Sequence, residues 1–226
     1  MIQHVYERAS QAERVDRVVV ATDDDRILEC VIGFGGEGVM TSPDHPSGSD
    51  RVAEAVRLLS PSRGTSPFRA IINMQGDEPM LDPRILDNLI DALERAGASC
   101  ATAVCRIDTA RDLFDTNVVK VVVRHDHTPL YFSRSPIPCL RDLPPDEWPS
   151  SAPFLRHIGI YAYQPSALQT FVAAPPSSLE RIEQLEQLRM LDLGISMICV
   201  PIDYAGHAVD TAEDVMRVEA LMSATI

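Results

Sequence analysis

Short β-branched runs alternate with amphipathic stretches along this chain, and that alternation constrains its fold more than any other feature. Residues 17–22 form a continuous Val-rich run, and Asp23-Asp24-Asp25 opens a helical stretch that stops before Gly35-Gly36. A short strand is expected around Val39, a helix over 51–59, a strand over 70–74 and a helix over 82–96. In that last helix Ile85, Leu86, Leu89, Ile90 and Leu93 share one face, and a strand over 100–104 follows it. Strands exchanged for helices need crossovers, so the pattern predicts parallel pairing and a βαβ architecture. Two short extended pieces follow at 118–123 and 130–132, then Pro136, Pro138, Pro144, Pro145, Pro149 and Pro153. This stretch, about 124–156, reads as an irregular arm or lid inserted in a single domain, 1–226.

A strand over 158–163 resumes the regular pattern. Ser177-Ser178-Leu179-Glu180 has the form of a capping box and predicts a helix through Leu193, closed by Gly194. On that helix Leu179, Ile182, Leu185 and Leu188 take the core side, leaving Glu183, Glu186 and Gln187 off it. A last strand over 197–202 and a last helix over 211–222 complete the chain. The opening residues, Met1 to Arg8, read as a helix already under way with no cap before it.

With 45% hydrophobic residues the chain can build a full core. Its net charge of −13 argues against a general nucleic-acid or anionic-membrane binder, both of which need a basic surface. A small phosphorylated ligand held by local cations and a metal stays open. The five cysteines, Cys30, Cys100, Cys105, Cys139 and Cys199, form no C-x-x-C pair, and their odd, scattered count fits a reducing cytoplasm. No apolar run reaches membrane-spanning length and no signal peptide is visible.

Chemistry concentrates at strand ends. Asn73-Met74-Gln75-Gly76-Asp77-Glu78-Pro79 follows the apolar run 70–72, and ligands of open α/β sheets bind just beyond the carboxyl ends of strands. Asp77 is placed either to hold a divalent cation on a phosphate or simply to cap a turn at Gly76. The loop 41–51 places Ser47 and Gly48 at a helix start beside Arg51, which suits a base or phosphate, while Ser47 or Ser49 serves equally as a plain cap. His45, without a second ligand in spacing, reads as structural. Asp210, just before the last helix, either pairs with Asp77 on one magnesium ion or complements the helix dipole, with Thr211 and Asp214 as a cap. His157, Gly159 and Tyr161 share a strand face by the period-2 rule and could face a polyhydroxylated acid. Arg134, near the arm, suits a carboxylate.

The segments VVVATDD, DHPSGSDR, NMQGDEPM, NVVKVV, YFSRSPIP, RHIGIYAY, IEQLEQLR and VDTAEDV stand in one order along the chain. Together they closely resemble the 3-deoxy-manno-octulosonate cytidylyltransferase family. The resemblance implies a Rossmann-like, GT-A-like nucleotidyltransferase, an α/β three-layer sandwich with a mostly parallel sheet and an inserted dimerisation arm. It implies transfer of CMP from CTP to Kdo with release of pyrophosphate, in the cytoplasm, for lipopolysaccharide biosynthesis. On this chain Asp77 and Asp210 would hold Mg2+ and be catalytic, and Ser47, Gly48, Arg51 and Gln75 would contact the nucleotide. Arg134, His157, Tyr161, Glu186 and Gln187 would form the sugar-acid pocket. The family implies a homodimer, with neither nucleic acid nor membrane as partner.

The family pattern begins with a strand and a loop of the type PARxxSTRLPGKPL ahead of the helix at which this chain starts. The expectation is therefore an N-terminally truncated domain without a central strand and the main triphosphate cradle. Two alternatives accompany it: a catalytically inactive fragment that retains sugar-acid binding or dimerisation, and a cytidylyltransferase for another sugar acid. Ser49 stands where the family usually has threonine, and Ala208 where glycine is common.

Overall fold

The apolar and amphipathic runs take up the expected elements in the computed structural model, which describes residues 1–60, 67–204, 209 and 211–224. The first half comprises α1 (Ile2–Ala9), β1 (Val20–Thr22), α2 (Asp25–Gly33), β2 (Gly38–Met40), α3 (Gly48–Leu59), β3 (Ile71–Asn73), α4 (Arg84–Ala96) and β4 (Cys100–Ile107). Then come α5 (Ala110–Phe114), β5 (Lys120–Val123), β6 (Pro129–Ser133), α6 (Trp148–Ser151) and β7 (Phe154–Tyr163). The chain ends with α7 (Pro165–Ala173), α8 (Ser178–Glu183), α9 (Gln187–Asp192), β8 (Met197–Pro201) and α10 (Ala212–Ala224). Local chemistry sets several boundaries. The Asp24 and Ser47 side chains cap α2 and α3, and Gly97 closes α4 at φ 59°, a backbone angle glycine adopts without a steric penalty. Helix α1 starts without a side-chain cap.

Among the described residues the strands form two sheets, a parallel pair β1–β2 and a mixed sheet centred on β7. Parallel pairing, the expectation from the alternation, holds for β1–β2 and β4–β8. β7 runs antiparallel to β3, β4 and β5 because the chain reaches it from the arm hairpin β5–β6 rather than through a crossover helix. β4 follows β7 along one edge. On the other edge β7 takes β5 at Leu155 and Arg156, then β3 at Tyr161, Ala162 and Tyr163. The sheet therefore forks between β5 and β3, and the β4–β7 register slips between Thr102 and Ala103 opposite that fork.

Two apolar layers cover the main sheet. One gathers Ile71, Val104, Phe132, Tyr161, Tyr163, Phe171 and Leu188, with Val52 and Val56 of α3 against it. The other gathers Leu86, Leu89 and Leu93 of α4 with Ala101, Ala103, Ile158 and Ile160, and takes Ile72 on its border. A third, smaller cluster of Ile107, Leu113, Val118, Trp148 and Phe154 anchors the arm, so the arm carries its own apolar seat.

One expectation is overturned. The helix predicted from Ser177 through Leu193 starts on the expected capping box but ends at Glu183, and Gln184 turns left-handed at φ 52° before α9. The cause is tertiary. The Glu183 carboxylate accepts from Ser133 Oγ at 2.8 Å and Arg134 N at 2.9 Å, and the Glu183 and Gln184 carbonyls accept from the Arg134 guanidinium. The break splits the expected core face: Leu185 and Leu188 are buried as expected, but Ile182 is 77% and Leu179 42% exposed, and Gln187, expected off the core, is 3% exposed.

Candidate active site

The fork in the sheet is lined by three elements that meet through a short chain of hydrogen bonds. Asn73, the last residue of β3, donates from Nδ2 to Ser49 Oγ at 3.2 Å, and Ser49 Oγ donates to Glu186 Oε1 at 3.0 Å. Ser49 lies in the first turn of α3 and is fully buried, and Glu186 sits between α8 and α9. Among the described residues the second Glu186 oxygen, Oε2, is buried and has no hydrogen-bond partner. Burial pushes the Glu186 carboxyl pKa up, partly countered by the Ser49 hydroxyl and Arg189. A buried acceptor left open at the mouth of a fork is poised for a hydroxyl donor.

β7 supplies the floor. The His157 ring lies 5.0 Å from Phe132 and 5.4 Å from Tyr161, and the Tyr161 ring stacks 5.6 Å from Tyr163. His157 and Tyr161 thus stand side by side, as the strand period predicts. His157 Nε2 pairs with Thr102 Oγ1 at 2.9 Å. Burial, reinforced by Arg156, depresses its pKa to about 3, so the imidazole is neutral near pH 7. Burial likewise raises the Tyr161 phenol, with Glu186 adding to the effect. Gln75 reaches over this floor: a Cβ built on Gly159 would sit 3.3 Å from its Nε2, so glycine there leaves room for the amide.

The nucleotide-side candidates lie along the loop before α3. Ser47 caps α3 by accepting from Asp50 N, and its hydroxyl donates to Asp50 Oδ2 at 2.6 Å. Gly48 presents open space where a Cβ would stand. Arg51 donates from Nη1 to Thr41 Oγ1 at 2.7 Å and forms an ion pair with Asp23 Oδ1 at 3.2 Å, so its fork ties the end of β1 to the loop. His45 pairs with Glu54 Oε2 at 2.5 Å, which gives it the structural role its isolation suggested.

Asp77 stands half-buried just past β3, and its carbonyl accepts from Val209 N at 2.9 Å. The reading of Asp210 falls outside the described residues. Thr211 and Asp214 form the expected reciprocal cap, Thr211 N donating to Asp214 Oδ2 at 2.9 Å and Asp214 N to Thr211 Oγ1 at 3.2 Å. An oxygen donor of the Asp77 type at a strand end suits a hard cation such as magnesium, which completes its shell with phosphate and water. No group of three or more His, Cys, Asp or Glu side chains able to hold a metal occurs among the described residues.

Arg134 is tied to backbone carbonyls on both sides of the arm. Its Nε donates to Glu183 O at 2.7 Å, Nη1 to Thr116 O at 3.0 Å and Nη2 to Gln184 O at 3.2 Å. These bonds fasten the arm hairpin to the α8–α9 turn that sets Glu186. Ser49, Asn73, Thr102 and Glu183 were not singled out as site residues in the sequence. Ser49, Asn73 and Glu183 lie within the resemblance segments DHPSGSDR, NMQGDEPM and IEQLEQLR, the available signal, whereas Thr102 lies in none and acts through contacts far apart in sequence.

Among the described residues no helix is long and apolar enough to cross a membrane. The family model for cytidylyltransferases matches residues 1–197. The 3-deoxy-manno-octulosonate cytidylyltransferase of Thermodesulfovibrio yellowstonii is 44% identical over 224 residues, covering 99% of this chain and 88% of that protein. The protein of the same description from Xanthomonas campestris pv. campestris strain 8004 is 45% identical over 229 residues, covering 99% and 89%. A solved CMP:2-keto-3-deoxy-manno-octonic acid synthetase in complex with CTP superposes with a TM-score of 0.89 at 39% identity, over 100% of this chain and 88% of that one. A 4-diphosphocytidyl-2C-methyl-D-erythritol synthase from Anaerococcus prevotii, at 11% identity and a TM-score of 0.60, shares the fold alone. A forked α/β sheet with polar residues at its strand ends, matched by that model over most of its length, places this chain in the cytidylyltransferase family.

Proposed function

We propose that this chain transfers CMP from CTP to the anomeric hydroxyl of 3-deoxy-D-manno-octulosonate, supplying lipopolysaccharide synthesis in the cytoplasm. The observation that carries the reading is the fork itself, where Glu186, Ser49 and Asn73 meet beside Tyr161 and Gln75 in a chain 44% identical to an enzyme of that description. In the reaction the anomeric oxygen bonds to the α-phosphorus, the bond from that phosphorus to the β-phosphate bridging oxygen breaks, and pyrophosphate leaves. The hydroxyl proton passes to solvent. No covalent enzyme intermediate is needed, so catalysis is positioning and electrostatics.

Each group then has a task. Glu186 Oε2 accepts from a sugar hydroxyl, and Gln187 lies beside it in sequence. Neutral His157 and Tyr161 border the acid without adding charge. Arg134 holds the α8–α9 turn and faces the acid from the arm. Gln75 contacts the nucleotide, Ser47 and Gly48 frame the α3 end of the nucleotide cleft, and Arg51 orients the loop. Asp77 and Asp210 are the residues that would hold magnesium, which when bound neutralises phosphate charge. The homodimer belongs to this reading too, with the arm as contact: Phe114, Leu130 and Leu143 are exposed on or beside it.

Pyrophosphate release from CTP and Kdo with magnesium tests the reading. Asp77→Ala should lower turnover about 100- to 1,000-fold with the fold intact. Turnover of the variant equal to the parent would sink the assignment, and a substrate panel with other sugar acids tests the acceptor. The open apolar groove between β1 and β3, lined by Val19, Ala21, Val56, Ile71, Ile72 and Ile90, favours one second reading, a chain that binds sugar acid but is silent in transfer. Calorimetry with CTP separates the two, since tight triphosphate binding contradicts silence.

A further inference from the structure

A lysine lies fully buried at the root of the arm. Lys120 opens β5, and across the strands it stands opposite Ser133 on β6 and Arg156 on β7. It therefore sits between the residue before Arg134 and the residue before His157. The adjoining Val119 carbonyl accepts from His157 N at 2.8 Å. Lysine is almost never fully buried unless its charge is paired, because an ammonium is costly to strip of water. Among the described residues no carboxylate pairs with this one. Its Nζ donates instead to Asp115 O at 2.9 Å and to Val118 O at 2.6 Å.

Those carbonyls belong to the loop between α5 and β5. The loop's own bonds are Val118 N to Asp115 O at 3.2 Å and Asn117 N to Asp115 Oδ1 at 2.8 Å. Thr116 gives its carbonyl to Arg134 Nη1 at 3.0 Å. Three carbonyls of one short loop thus accept from two cationic side chains, Lys120 and Arg134. The Arg134 guanidinium runs on to the Glu183 and Gln184 carbonyls, and the turn they form leads to Glu186. Ser133, opposite Lys120, adds a second strut by donating to Glu183 Oε1 at 2.8 Å. A methionine would fill much the same space as the lysine stem, but only an ammonium draws both carbonyls onto one point.

We infer that Lys120 is a positioning residue for the acceptor end of the site. It fixes the 115–118 loop, the loop fixes the Arg134 guanidinium, and the guanidinium fixes the α8–α9 turn that presents Glu186. It touches neither substrate. The inference rests on reading Glu186 and Arg134 as the sugar-acid end, and its first readout needs no substrate.

That readout is amide exchange. In Lys120→Met the Leu185 and Leu188 amides, bonded to Glu180 O and Leu185 O, should exchange about 10-fold faster, with Ala162 of β7 unchanged. Leu113→Ala, which empties part of the arm's apolar seat, is the control: it should lower the thermal midpoint and leave those amides as in the parent. With Arg134→Leu already in place, Lys120→Met should add nothing. In turnover the KM for Kdo should rise about 10-fold while the KM for CTP stays within about twofold. Unchanged exchange at Leu185 and Leu188, an equal effect from Leu113→Ala, or additive effects of Lys120→Met and Arg134→Leu overturns the inference. So does an equal rise in both KM values. A parent that transfers no CMP sinks the transfer reading alone, because exchange still decides the role of Lys120. If Lys120→Met does not fold, Lys120→Gln, which keeps an N–H donor, takes its place. Failure of both to fold also overturns the inference, since Lys120 then supports the whole domain.

Discussion

The half of the molecule built on β7 and the half built on β1 and β2 are held by different means. β7 is bonded along both edges, and the side chains over it lock together elements far apart in sequence: Thr102 to His157, Ser49 to Glu186, and Arg134 to the α8–α9 turn. β1 and β2 bond each other, and helices and the Arg51–Asp23 pair attach them to the rest. The sugar-acid end of the proposed site stands on the first half, and its Ser47–Arg51 side leans on the second. Cross-strand bonding makes a site rigid, whereas a short pair with an open edge leaves its loops to helix packing.

Four substitutions break or sharpen that contrast. The largest effect is expected at His157, whose pKa falls from an ordinary 6.5 to about 3 on folding. Between those values the unfolded chain binds more protons than the folded one. Stability is therefore fully present above about pH 6.5 and drains as pH falls through 3, by about 5 kcal/mol at most. Denaturant titrations across that range should show His157→Gln with a flatter acid limb, and a parallel limb would contradict the buried neutral ring. Next is the buried Arg189–Glu180 pair at 2.8 Å, whose guanidinium also sits 4.3 Å over the Phe171 ring. Glu180→Ala leaves that charge unpaired and should cost about 3 kcal/mol in chemical denaturation.

A smaller loss tests the other half. Val31 of α2 is fully buried, and Val31→Ala should cost about 1.5 kcal/mol. Amide exchange should show the loosening confined to β1, β2 and α2; the same loosening in β7 would mean the halves are one cooperative unit. The smallest effect belongs to Arg57, 74% exposed and paired with Glu54 at 3.1 Å. Arg57→Ala should shift stability by less than about 0.5 kcal/mol, and a larger shift in thermal melts would give the surface of α3 an unexpected role.

Local rules were readable wherever neighbours in sequence decide. The Ser177–Glu180 capping box, the Ser47 cap, the apolar face of α4 and the Thr211–Asp214 cap all lie where their residues predict them. The α8–α9 break was not readable, because Arg134 and Ser133, some fifty positions away, supply the bonds that bend the helix. The same break turns Glu186 from a presumed solvated face into a buried acceptor. Likewise Arg134 looked free to meet a carboxylate, and only the fold shows its donors meeting three carbonyls.

The sequence by itself determined the α/β alternation, the family, and the strand-end residues Gln75 and Asp77, because hydrophobic period, capping chemistry and motif order are properties of neighbouring residues. The tertiary structure alone decided which strands pair. It set β7 against its neighbours, opened the fork that gathers Asn73, Ser49 and Glu186, and left a groove between β1 and β3. Pairing is decided by long-range hydrogen bonds and by the burial of both sheet faces, and neither is written in any one segment.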